Sequence, residues 1–73
     1  MPKTSTQTLR TLGKKIRKLR KENNLTQEKL AEQLRISTVY MGYLERGKGQ
    51  PSLKLLMKIA RKFSVKVEDL FHR

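Results

Sequence analysis

The 73-residue chain contains no cysteine, and its single histidine is the penultimate residue, His72. Without cysteine there are no disulfide staples, thiolate zinc sites, thiol nucleophiles or iron–sulfur ligands, and a reducing cytoplasm is the expected location. One histidine at the chain end gives no His-based catalytic triad and no His-rich metal site. Acidic residues are scarce too: six Asp and Glu stand against eighteen Lys and Arg, a net charge of +12, and such a balance points to a polyanionic partner. No apolar run approaches the roughly 18 residues of a membrane span, and the amino terminus has no apolar signal core. The acid-poor, Thr-rich stretch before Glu22 resembles a transit peptide in composition, but it runs straight into a periodic segment that the fold needs. A chain this short buries only about 60% of its unfolded surface. A substrate-enclosing core, a small-molecule substrate and a cofactor are therefore not expected, and neither is a metal.

What is present is helical periodicity. Residues 1–7 carry no apolar residue after Met1 and are expected to form a flexible amino-terminal arm ahead of one domain over residues 8–73. Leu9, Leu12, Ile16 and Leu19 share one face of a first helix over residues 8–22, ringed by Arg10, Lys14, Lys15, Arg17, Lys18 and Lys21. Thr26 is the N-cap of a second helix with Leu30, Ala31 and Leu34 inward, stopping near Arg35. Ser37 caps a third, which runs to Arg46, with Gly47 closing it in the left-handed conformation. Ser52 caps a fourth whose inward face is Leu53, Leu56, Ile59, Ala60 and Phe63, with Leu55 and Met57 partly exposed. A last turn holds Val65, Val67, Leu70 and Phe71. With no strand-like alternation and no internal repeat, the reading is an all-α domain of five helices.

Two short capped helices joined by a tight turn, behind a longer helix on a +12 chain, are the pattern of a helix-turn-helix DNA reader. The motifs go further. Leu25-Thr26-Gln27-Glu28-Lys29-Leu30-Ala31, Ile36-Ser37, Leu44-Glu45-Arg46-Gly47-Lys48 and Pro51-Ser52-Leu53 together resemble the lambda-type phage repressor and Cro family, the xenobiotic-response-element class, across residues 9–71. The resemblance implies a compact five-helix lambda-repressor-like fold in which Thr38, Val39, Gly42 and Tyr43 face bases in the major groove. It implies that Thr26, Gln27, Arg46 and Lys48 hold phosphates, and that Arg20 and Glu45 form an ion pair tying the reading helix to the scaffold. In many relatives the positions of Leu70 and Phe71 help bury a two-fold interface, and with Val67 they are the candidate dimer contacts here.

Physical chemistry supports several of these roles independently. Exposed N–H groups at the start of the second helix attract a phosphate, and Gln27 adds a side-chain donor. The Thr38 hydroxyl bonds either kind of base edge, and the methyls of Thr38 and Val39 suit thymine C5-methyl groups. Tyr40 and Tyr43 offer aromatic area with a polar tip, fit for groove wall, sugar or phosphate. Residues 38–45 contain no Arg, Lys, Asn or Gln, so direct readout is expected to favour A·T contacts, with DNA shape and dimer spacing carrying much of the specificity.

Three residues depart from the family pattern. Arg35 stands where the turn usually has glycine, a strain of roughly 1 kcal/mol if the backbone is left-handed. Gly42 interrupts the third helix and lets backbone approach DNA closely. Lys66 replaces the usual capping residue of the last helix, which is expected to fray.

Rival readings have weaker support. Glu28 and Glu32, one helical turn apart, are better explained by an exposed helix face than by acid–base catalysis. Glu68 and Asp69 decorate a first turn rather than bind a metal. The first helix alone looks like a membrane-surface peptide, but its apolar face has a fold to join. An adaptor or antitoxin-like module, whose partner is a toxin or the transcription machinery, is the serious rival. The expectation is a nucleoid-associated regulator of transcription, a repressor and not an enzyme, binding double-stranded DNA at a pseudopalindromic operator as a homodimer.

Overall fold

The computed structural model describes residues 5–72. Helix α1 spans Thr6–Glu22, α2 Gln27–Leu34, α3 Thr38–Glu45 and α4 Leu53–Lys62. A 3-10 turn over Val67–Phe71 follows. Every helix opens on a hydroxyl cap: Ser5, Thr26, Ser37 and Ser52 each accept a hydrogen bond from the backbone N–H three residues on, satisfying donors that the helix cannot. Ser5 starts α1 at Thr6, two residues earlier than the apolar period suggests. Of the expected arm, residues 5–7 thus belong to this cap and first turn, and residues 1–4 lie outside the described residues.

The helices also end alike. The residues after them, Asn24, Arg35, Gly47 and Ser64, all have positive φ, between 55° and 75°, and the next N–H reaches back to the last full turn. Leu25 bonds Arg20 O, Ile36 bonds Ala31 O, Lys48 bonds Tyr43 O and Val65 bonds Ala60 O, at 2.9–3.0 Å. This is the Schellman closure, and Leu25, Ile36 and Val65 at its end pack onto the core.

Packing of α1 against α3 and the 3-10 turn, and of α2 against α3 and α4, encloses one core of Leu12, Ile16, Leu30, Ala31, Leu34, Met41, Leu44, Leu55, Ile59, Ala60 and Leu70. Gly13 sets the α1–α3 distance. A Cβ there would lie in hard contact with Leu44 O and 2.6 Å from Glu45 O, so only glycine lets the end of α3 come this close.

Three expectations are corrected. Among the described residues there are four α-helices, not five: the last element closes with three-residue bonds, Asp69 N–H to Lys66 O at 3.0 Å and His72 N–H to Asp69 O at 3.3 Å, because five residues are too few to reward an α-helical nucleus. Its start is held despite Lys66, since the Asp69 carboxylate accepts from the Lys66 N–H at 3.0 Å. Second, Leu53 and Leu55 of α4 exchange places, while Leu56, Ile59, Ala60 and Phe63 face inward as expected. Leu55 is buried and Leu53 is 65% exposed; with six apolar residues in the ten of this helix, the period alone leaves the edge of the inward face ambiguous. Third, Leu70 has no exposed surface and is a core residue rather than a dimer contact, whereas Val67 and Phe71 are half-buried.

Candidate nucleic-acid interface

Helix α3 has two unlike faces. Inward, Met41 and Leu44 are buried in the core. At its carboxyl end Glu45 is pinned: Arg20 Nε donates to Glu45 Oε2 at 2.6 Å, Arg20 Nη2 to Oε1 at 3.1 Å, and Gln27 Nε2 to Oε1 at 2.9 Å. The remaining nitrogen of the fork, Arg20 Nη1, donates to Leu25 O at 2.8 Å. The side chains of the pair are 10% and 3% exposed, so this is a buried bidentate ion pair in which all three guanidinium nitrogens and both carboxylate oxygens are engaged, and among the described residues no buried side-chain N or O atom lacks a partner. A half-satisfied version would be costly. One network therefore joins α1, the first residue of α2 and the last residue of α3, fixing α3 against its neighbours.

Outward, Thr38, Val39 and Tyr43 are exposed, Val39 by 65% and Tyr43 by 46%. They lie on one stripe at helical spacing. Gly42 belongs to the same stripe but is not bare: Arg46 folds back across it, with Nη1 3.1 Å from where a Cβ at residue 42 would stand. The Arg46 guanidinium carbon is 5.3 Å from the centroid of the Tyr43 ring, a cation–π separation. The expectation of an open Gly42 backbone is corrected by this cover.

The residues expected at phosphates divide. Thr26 and Lys48 are exposed; Thr26 uses its hydroxyl as the α2 cap, at a helix start whose first N–H groups have no intrahelical partner and favour an anion. The Gln27 amide is engaged with Glu45 and retains its second amide hydrogen. Tyr40 is half-buried, packed on the core and beside Gly49. The turn between α2 and α3 is held by Arg35 at φ 60° and ψ 44°, the left-handed backbone that its position demands.

Two contributors escaped the sequence reading. Lys58 Nζ donates to Leu34 O at 2.5 Å, satisfying a terminal carbonyl of α2 from α4, a long-range contact without a local sequence signal. Gly13 had a signal: an isolated glycine inside a helical period marks close approach. Among the described residues no group of three or more His, Cys, Asp or Glu could hold a metal, and no described helix is long and apolar enough to cross a membrane.

The comparisons agree with this geometry. The helix-turn-helix family model matches residues 16–70. The chain is 49% identical over 57 residues to an uncharacterised HTH-type transcriptional regulator of Methanocaldococcus jannaschii, spanning 78% of this chain and 86% of that one. It is 39% identical over 60 residues to the immunity repressor protein of Bacillus phage phi105, spanning 82% of this chain and 42% of that one. Its structure is similar to that of the restriction-modification controller protein C.AhdI from Aeromonas hydrophila, with a TM-score of 0.78, 33% identity, and 86% of this chain and 96% of that one covered. With its capped α2–turn–α3 unit and the exposed outer face of α3, the chain belongs to the helix-turn-helix family of DNA-binding transcriptional regulators.

Proposed function

We propose that the protein represses transcription by binding a pseudopalindromic operator as a homodimer, with α3 of each subunit in the major groove. The exposed outer stripe of α3, Thr38, Val39 and Tyr43, carries this reading: it is a protruding apolar and hydroxyl surface on a helix whose other face is fixed in the core. Thr26, Gln27, Tyr40 and Lys48 hold the flanking phosphates, aided by the α2 amino terminus. The methyls of Thr38 and Val39 meet thymine methyl groups. Val67 and Phe71 contribute to the two-fold contact, which sets half-site centres about one helical turn, roughly 34 Å, apart. The cytoplasm, with the nucleoid, is the site of action.

The test is selection of bound sequences from a random duplex library near physiological salt, with polyanion competitor. The expected result is an enriched inverted repeat, bound about 10³-fold or more tighter than bulk DNA. Binding that collapses with salt and enriches no sequence would leave only the electrostatics of the +12 charge and favour the rival partner-binding module, for which the sparse polar content of α3 speaks.

A further inference from the structure

Residues 38–45 hold no side chain able to make a bidentate contact with a base. Arg46, at the C-cap of α3, changes that. It follows Val39 by seven positions, Gly42 by four and Tyr43 by three, so it continues the outward stripe. Its side chain turns back toward the helix amino terminus, the direction helical side chains take. The guanidinium packs over Gly42, with Nη1 3.1 Å and Cζ and Nη2 3.8 Å from where a Cβ of residue 42 would stand, and it lies over the Tyr43 ring. Among the described residues its side-chain N–H groups have no hydrogen-bond partner, and the ion pair found is that of Arg20 and Glu45.

We propose that Arg46 is a base-reading residue, presenting its fork to the O6 and N7 of a guanine opposite the second turn of α3. Three features converge on this. Gly42 weakens an eight-residue helix, and its lack of a side chain lets the guanidinium pack close against the helix there. The Tyr43 ring holds that planar group on the face that meets the groove, where a phosphate-binding side chain would instead extend past the helix to the strand. The unpaired donors match guanine, the base that arginine addresses bidentately. The half-site therefore contains a specified G·C pair alongside the A·T contacts of Thr38 and Val39. This inference rests on α3 facing the major groove.

The test is the same library selection on the wild-type protein, Arg46→Lys and Gly42→Ala, with thermal melts of each. Arg46→Lys keeps the charge but loses the fork. Gly42→Ala keeps Arg46 but sets a methyl 3.1 Å from its Nη1, so that the guanidinium must give by a few tenths of an ångström; only the far end of a flexible side chain moves, and the variant is expected to melt at or above the wild-type temperature. The wild-type protein is expected to select one guanine per half-site, Arg46→Lys to lose that preference by about tenfold and Gly42→Ala to weaken it by a smaller factor, both keeping the other positions. A wild-type repeat without a guanine overturns the proposal and leaves the major-groove reading standing. So does a guanine retained by both variants, with Arg46→Lys weakening all sequences equally as a phosphate contact would. A wild-type protein that selects no sequence overturns the groove reading, and this proposal with it.

Discussion

The two faces of α3 are built on opposite terms. Inward, Met41 and Leu44 are sealed in the core and Glu45 is gripped by Arg20 and Gln27. Outward, Thr38, Val39 and Tyr43 are exposed, and Arg46 has only an aromatic ring and a glycine beneath it. One face fixes the helix; the other is free to be spent on a ligand. The physical separation lets the outer residues change without loss of fold, whereas the inner ones cannot be altered without moving the helix.

Substitutions on either face sharpen or break that contrast. Arg20→Ala strands the Glu45 carboxylate and is expected to cost about 3–5 kcal/mol in denaturant unfolding; a loss below about 1 kcal/mol would mean that the inner face is not held by this pair. Gly13→Ala drives a methyl against two backbone oxygens at the end of α3, and a loss of about 3 kcal/mol is expected, since backbone yields less readily than side chain. Arg35→Gly relieves a left-handed arginine and is expected to raise stability by about 1 kcal/mol. A binding curve on the same variant reveals whether the arginine also grips a phosphate. Val39→Ala, on the outer face, should shift stability by less than about 0.5 kcal/mol while weakening the selected operator about fivefold. An unfolding loss as large as that of a core residue would erase the distinction between the faces.

Much of this was legible in the sequence because its signals are local. The caps Thr26, Ser37 and Ser52 announce helix starts within three residues of the N–H groups they satisfy, and Gly47 announces an end. The buried faces of α1 and α2 follow from period alone. The edge of the α4 face did not, because in an apolar-rich decapeptide only packing chooses Leu55 over Leu53. The last element fell short of an α-helix for want of length, and Leu70 lies in the core because the 3-10 turn folds back on α1. At the interface, the Arg20–Glu45 pair was available through family resemblance. The addition of Gln27 to it, and the folding of Arg46 over Gly42, depend on which way side chains turn, which sequence spacing does not specify.

The most direct test of the account is to map backbone amide shifts of the folded protein by NMR as the selected operator duplex is added. The account predicts the largest changes at Thr38, Val39, Gly42 and Tyr43 and at the start of α2, with the outer basic face of α1 nearly unperturbed. Changes concentrated on Arg10, Lys14 and Lys18 of α1, with α3 silent, would contradict it: the charge would then be the interface, and α3 would not be reading DNA.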